Sequence, residues 1–255
     1  MIDIHCHILP DVDDGADTVE DAVEMARLAS ASGVRAIIAT PHSCVPSFPP
    51  NFKSLSLIDK FRELRNEITA AGIPLKIYSG AEILCTREMP GLLEKGKLLT
   101  LANTKYFLVE FYFNSAPEYI NSMLKVVTAN GLVPVIAHPE RYDAVHDDPY
   151  LVEEWNDRGY VVQVNKGSIA GRLGFNAQQS ARWILSHGLA HVVASDAHGI
   201  LKRTPMMDRV YDHLKSELHR GYAELLLEEN PRHILCNEPV VSVRDIVETE
   251  DFEEI

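Results

Sequence analysis

The chain has 255 residues, 46% of them apolar and 24% charged, with a formal net charge of −13 at pH 7. That length suits a single α/β domain spanning 1–255, and the apolar content excludes disorder over most of it. The acidic balance excludes nucleic acid as main partner, no apolar run nears the roughly 18 residues of a membrane span, no cleavable signal is evident, and four scattered cysteines make no disulfide framework, so the cytoplasm is the expected location.

The chain alternates short β-branched apolar runs with amphipathic helical patterns. A strand is expected over 2–5, ending in His5-Cys6-His7. Asp11, Asp13, Asp14 and Gly15 read as a turn. A helix follows over about 19–32, with Asp17 as its N-cap and Gly33 as its stop. The strand over 34–40 leads to His42, and a helix covers about 55–71. The strand over 75–79 precedes Glu82. The strand Tyr106–Glu110 ends in a carboxylate and is followed by a helix over about 117–130. The strand over 133–137 leads to His138, and a helix covers 150–157. The strand over 160–165 carries Gln163 and Asn165, with a helix over about 177–187 after it. The last strand, 191–195, runs into Asp196-Ala197-His198. Helices over about 208–218 and 222–229 follow, and 248–255 reads as a solvated acidic tail.

Seven strands alternating with helices mean a parallel sheet with crossover helices, closed as a barrel or open and doubly wound. In either case the carboxyl ends of the strands meet on one face. His5, His7, His42, Glu82, Glu110, His138, Asp196 and His198 all lie at or just after strand ends. Each alone reads as a loop histidine or a helix cap. Together they crowd charge into one cup, which a metal cluster makes tolerable. In His5-x-His7 and Asp196-x-His198, alternate residues of an extended segment point the same way and can reach one cation. Glu82 can bridge two. Nitrogen and oxygen donors without thiolate suit Mn, Fe, Co or Zn. Cys6, between two ligands, reads as wall.

These motifs resemble the PHP (polymerase and histidinol phosphatase) superfamily, and within it the bacterial metal-dependent protein tyrosine phosphatases of capsule and exopolysaccharide operons. The residues carrying the likeness are 1–15 (MIDIHCHILPDVDDG), Ala39-Thr40-Pro41-His42, Gly80-Ala81-Glu82-Ile83, Leu108-Val109-Glu110-Phe111, Ala137-His138-Pro139-Glu140-Arg141, Gln163-Val164-Asn165, Gly167-Ser168 and Ser195-Asp196-Ala197-His198. They cover about 1–235 in order. The likeness implies a distorted (βα)7 TIM-like barrel, the PHP fold, with three divalent ions, Mn foremost. One ion would take His5, His7, Glu82 and Asp196; a second Glu82, Glu110 and His138; a third Asp14, His42 and His198. Arg141 and Arg203 would face the phosphate.

Three divalent ions against four carboxylates and one hydroxide leave about +1, which suits a phosphate monoester dianion. The expected chemistry is direct attack of a metal-bridging hydroxide on phosphorus. A cysteine-based phosphatase needs arginine six residues after the nucleophile. Val12, Pro50, Gly91 and Ser242 occupy those positions, so that mechanism is excluded. The likeness implies a phosphotyrosine protein as substrate, a bacterial tyrosine autokinase controlling polysaccharide export. The alternatives are a small-molecule phosphatase of the histidinol-phosphate type and a non-catalytic metal-binding regulatory module. The segment 43–52, with Tyr112 and Phe113, is a candidate apolar rim. The late helices serve a subunit interface or internal packing equally well, which leaves the oligomeric state open.

Overall fold

A computed structural model describes residues 1–218 and 220–244; the acidic tail lies outside them. Among the described residues, nine parallel strands run in order: β1 Ile2–Cys6, β2 Ala36–Ala39, β3 His42–Ser43, β4 Lys76–Ser79, β5 Glu82–Leu84, β6 Tyr106–Glu110, β7 Val133–Ala137, β8 Val161–Asn165 and β9 Val192–Ala194. They form two sheets, β1-β2-β4 and β3-β5-β6-β7-β8-β9.

The two sheets are parts of one ring of seven staves. The staves that contain the expected strands over 34–40 and 75–79 each break, at Thr40-Pro41 and Gly80-Ala81, and run on past the expected bounds as β3 and β5. Their first halves pair in one sheet and their second halves in the other, with Ile37 opposite Ile77 and His42 opposite Glu82. Proline cannot donate to a ladder, which accounts for the first break. A Cβ on Gly80 would stand 2.8 Å from the Ile38 side chain, so only glycine lets the staves approach there. Between β9 and β1 the ring is pinned by a single bridge, Cys6 to Ala197, and by Asp196 N–H donating to His5 O at 2.8 Å. This is the distorted seven-stave barrel.

The helices are α1 Val19–Ala31, α2 Leu55–Ala70, α3 Met89–Glu94, α4 Pro117–Ala129, α5 Asp143–Asp147, α6 Tyr150–Asp157, α7 Lys166–Ile169, α8 Phe175–Ser186, α9 Asp208–Glu217, α10 Arg220–Glu224 and α11 Asn230–Leu235. A π-helical turn, Leu225–Glu229, joins the last two. The N-cap of α1 is Thr18, not Asp17: Thr18 is the extended residue next to the first helical one, and its Oγ1 accepts from Asp21 N at 3.1 Å. Such a cap contributes about 1 kcal/mol. Gly33 ends the helix with φ +88°, as expected. Each long helix buries an i, i+3/i+4 stripe, such as Leu57, Phe61, Leu64 and Ile68 of α2.

Strand alternation divides the core into an inner and an outer layer. Ile4, Ile38, Tyr106, Leu108, Val135, Ala137, Val161, Val192 and Ala194 fill one cluster inside the ring. Ile37, Phe107, Val109, Ile136, Val162, Val164 and Val193 join the helices in the other. Carrying the inner parity one step further reaches Glu110 from Leu108, Gln163 and Asn165 from Val161, and Asp196 from Ala194. The same period of two that plugs the barrel with hydrocarbon thus lines its mouth with polar groups.

Candidate metal centre

Strand β1 would by strict alternation turn Cys6 inward after Ile4. Its register against β2 shifts between Asp3 and Cys6, and the parity reverses. Cys6 then packs in the outer apolar cluster, while His5 and His7, both fully buried, reach the cup.

There the side chains converge. His5 Nε2 and His7 Nε2 lie 3.2 Å apart, each 3.2 Å from Glu82 Oε2 and 3.6 Å from Asp196 Oδ1. His42 Nδ1 stands 3.1 Å from Glu82 Oε2 and 3.0 Å from Glu110 Oε1. His138 Nε2 is 2.9 Å from Glu82 Oε1 and 4.0 Å from Glu110 Oε2. Asp14 Oδ1 lies 3.5 Å from His42 Nε2 and 3.4 Å from His198 Nε2. Glu82, 1% exposed, touches four imidazoles and is the hub. Three sets have donor atoms close enough for one cation: His7, Asp14, His42 and His198; His5, His7 and Asp196; and His42, Glu82 and Glu110. All nine expected ligand residues come together. The sets overlap at His7 and His42 rather than dividing into the three expected groups.

Burial and charge pull the imidazoles in opposite directions. Burial lowers His5, but Glu82 and Asp196 outweigh it and push the ring up to about 9. His42 is pushed up to about 12, because Glu82 and Glu110 overcome its burial. His198 falls to about 4 through burial and the neighbouring His7, against Asp14. Burial alone would raise Glu82 and Asp196; His5 and the other cations around them hold both well below the usual carboxylate range. These groups compete for too few protons. His42 Nδ1, Glu82 Oε2 and His198 Nε2 are buried and make no hydrogen bond, although partners stand 3.0–3.4 Å away. Leaving one such group unsatisfied costs about 1–3 kcal/mol. Buried nitrogen and oxygen atoms that crowd together without bonding to one another fit divalent cations.

A second layer orients the first. Asp13 Oδ2 accepts from His7 Nδ1 at 2.8 Å and from the His42 backbone N–H at 2.8 Å; its Oδ1 accepts from Gly15 N at 3.0 Å. Gln163 Oε1 accepts from His5 Nδ1 at 2.8 Å. Gln163 Nε2 donates to Asn165 Oδ1, and Asn165 Nδ2 to Asp196 Oδ2, at 2.8 and 2.6 Å. Both histidines of His5-x-His7 are thereby fixed with Nε2 toward the cup. Asp13, first read as part of a turn, is a buried positioning residue. Its six-residue offset from His7 follows from how the loop folds back, which no periodicity encodes. His138 and Asp196 have left-handed backbones, φ +36° and +48°. Conformations of this kind cost of order 1–3 kcal/mol each and gather at functional sites.

Arg141 and Arg203 meet over Asp196. Arg203 Nη2 is 2.6 Å and Arg141 Nη1 3.6 Å from Asp196 Oδ2. Arg203, also left-handed at φ +48°, donates through Nε to Asp196 O at 3.2 Å. Its loop is held by Lys166, whose ammonium donates to Thr204 O and Met206 O. Buried Glu140, next to Arg141, accepts from Asn165 N and Ser168 Oγ at 3.0 and 2.7 Å. Sequence reasoning assigned no role to Lys166 or Glu140. A cavity of about 540 Å³ lies at the opposite end of the barrel beside Val133 and Val161, the first residues of β7 and β8.

A parallel barrel with a histidine–carboxylate cup at the carboxyl ends of its strands is an architecture suited to metal-dependent hydrolysis. A family profile described as capsular polysaccharide synthesis, CpsB/CapC, matches residues 1–236, and the chain belongs to that family. It is 36% identical over 240 residues to the tyrosine-protein phosphatase YwqE of Bacillus subtilis (strain 168), covering 94% of this chain and 93% of that protein. It is 34% identical over 244 residues to the tyrosine-protein phosphatase CpsB of Streptococcus pneumoniae, covering 93% and 99%. A chain from the crystal structures of YwqE and CpsB, described as unique metal-dependent tyrosine phosphatases, superposes with a TM-score of 0.87 at 35% identity, over 95% of this chain and 97% of that one. Among the described residues, no helix is long and apolar enough to cross a membrane.

Proposed function

We propose that this chain is a metal-dependent protein tyrosine phosphatase acting on a bacterial tyrosine autokinase that governs capsule or exopolysaccharide synthesis. The observation that carries the reading is the cup itself: five imidazoles and four carboxylates converge, with buried atoms unsatisfied, beneath two arginines. His5, His7, Asp14, His42, Glu82, Glu110, His138, Asp196 and His198 hold three divalent ions, Mn foremost. When bound, these ions supply a water acidified toward pKa about 7 and positive charge for the phosphoryl oxygens.

The chain's own residues set the geometry. Gln163 and Asp13 keep Nε2 of His5 and His7 aimed inward. Arg141, from the turn after β7, and Arg203, from the loop after β9, hydrogen-bond the non-bridging oxygens of phosphate, exchanging their present partner Asp196 for it. Phe48 stacks on His42 with centroids 5.6 Å apart, and Phe113 stands edge-on to His138 at 6.2 Å, so an aromatic ring flanks each side of the mouth. A phenolate leaves readily, with a phenol pKa of about 10, so no strong general acid is needed. Burial pushes the Cys6 and Cys85 thiols well up, which removes them as nucleophiles.

Phosphate release from a phosphotyrosine peptide tests the reading. The expected result is activity that chelator abolishes and Mn restores. Faster turnover of histidinol phosphate than of the peptide contradicts the substrate class.

A further inference from the structure

Seven large apolar side chains are exposed among the described residues. All seven lie on segments that follow strands, the side of the ring on which the cup opens, and two of them, Phe113 and Phe175, line one cavity there. Phe175 is 73% exposed at the start of α8. Apolar groups gathered beside a polar site mark a contact surface rather than scattered surface carbon.

Beside the cup is a cavity of about 390 Å³ lined by Phe113, Arg141, His146, Leu173, Phe175 and Ala177, with Gly174 and Asn176 completing it. That volume falls in the range of side-chain and small-ligand pockets, about 300–1,000 Å³. Arg141 is the shared wall. Its Nη1 faces Asp196 in the cup at 3.6 Å, while its Cζ lies 4.3 Å from the Phe113 ring centre in the cavity. The two spaces are one guanidinium apart, within reach of one or two residues of extended chain at roughly 3.3–3.6 Å each.

The lining selects the occupant. It contains no carboxylate, although the chain carries 37 Asp and Glu. A cationic side chain would meet Arg141 with no carboxylate in the lining to pair with; Asp143 Oδ1, 3.9 Å from His146 Nδ1, lies outside the lining. Of the polar side chains in the lining, His146 Nε2 donates to Glu140 O at 2.8 Å, Arg141 turns to Asp196, and Asn176 is exposed to solvent. What remains open is the hydrocarbon of Phe113, Leu173, Phe175 and Ala177.

We infer that this cavity is a specificity subsite that takes an apolar side chain, aromatic or branched aliphatic, one or two residues from the phosphotyrosine of the protein substrate. The inference rests on the phosphatase reading and adds to it. The cup reads the phosphate, and the cavity reads the neighbouring residue. Substrates with apolar neighbours gain affinity, and those with lysine or arginine there lose it.

The test uses the full chain loaded with Mn. Phosphotyrosine peptides carry Leu, Gly, Glu or Lys at the two positions on either side, and p-nitrophenyl phosphate serves as the reference without neighbours. The expected kcat/KM for Leu over Lys is about tenfold or more at one position, the lower end for a filled apolar pocket. In Phe175→Ala and Leu173→Ala this ratio falls toward unity, while p-nitrophenyl phosphate turnover stays at the wild-type level. Equal rates for all four peptides in the wild type overturn the subsite, as does full retention of the Leu preference in both variants. A Glu preference overturns the apolar occupant. Equal losses on peptide and p-nitrophenyl phosphate place Phe175 and Leu173 in support of the cup and also overturn it. Absence of turnover on every substrate refutes the phosphatase reading itself, a result distinct from flat selectivity with normal p-nitrophenyl phosphate hydrolysis.

Discussion

Glu82 shows why the cup favours cations. A buried carboxylate costs several kcal/mol unless it is compensated, and here protons on His5 and His42 supply the compensation when metal is absent. Both imidazoles have folded-state values above the ordinary 6.5, at about 9 and about 12. Their stabilising contribution is complete below pH 6.5. That of His5 is lost by about pH 9, and that of His42 declines throughout the interval. The metal-free protein is therefore expected to show a thermal midpoint that falls between pH 6.5 and 9. With saturating Mn the trend reverses, because rising pH removes the competing protons. A metal-free midpoint that rises over that interval contradicts this arrangement. Asp13 acts on the same chemistry one bond further out. Asp13→Asn places an amide against His7 Nδ1 and disturbs its tautomer, so Mn affinity measured by chelator competition is expected to fall about 10–100-fold. Unchanged affinity would remove Asp13 from the positioning set. Arg141→Ala and Arg203→Ala are expected to lower turnover while leaving metal content intact. Cys6→Ser is expected to retain most activity, since Cys6 faces the outer core.

The loop between β1 and α1 is the element on which the site most depends. Ala16 N donates back to His7 O at 3.0 Å, closing the loop over the second histidine. A Cβ on Gly15 would stand 2.0 Å from His7 O and 2.6 Å from His7 Cβ. Gly15→Ala is therefore expected to lower both the thermal midpoint and the bound metal. A variant with the wild-type values of both would show that the loop can yield. The same elements show what a sequence discloses. The ligands were legible because each stands where a β-branched run stops, and β6 and α6 appear with the expected bounds. The breaks at Thr40-Pro41 and Gly80-Ala81 were not, because a stave that changes sheets keeps its apolar composition. The short helices α3, α5, α7 and α11 were missed because one or two turns carry too few residues to show a 3.6 period. Asp17 and Thr18 are both good caps in sequence, and only the backbone, extended at Thr18, decides between them. Asp13, Glu140 and Lys166 were hidden for another reason: their partners are set by loop folding.

At the scale of the whole molecule, six of the seven staves bring ligands from residue 5 to residue 198 to one point, β8 supplies Gln163 and Asn165 that orient them, and hydrocarbon fills the ring below. The weakly paired seam between β9 and β1 lies beside Asp196 and Arg203, so the site itself helps to close the ring. The central claim is that the mouth of this barrel binds a cluster of divalent ions. Elemental analysis of protein saturated with Mn and freed of excess by gel filtration tests it most directly. Three ions per chain are expected in the wild type and fewer in Glu82→Gln, because the Glu82 side chain is the hub. A wild-type chain that retains no ion under those conditions contradicts the claim.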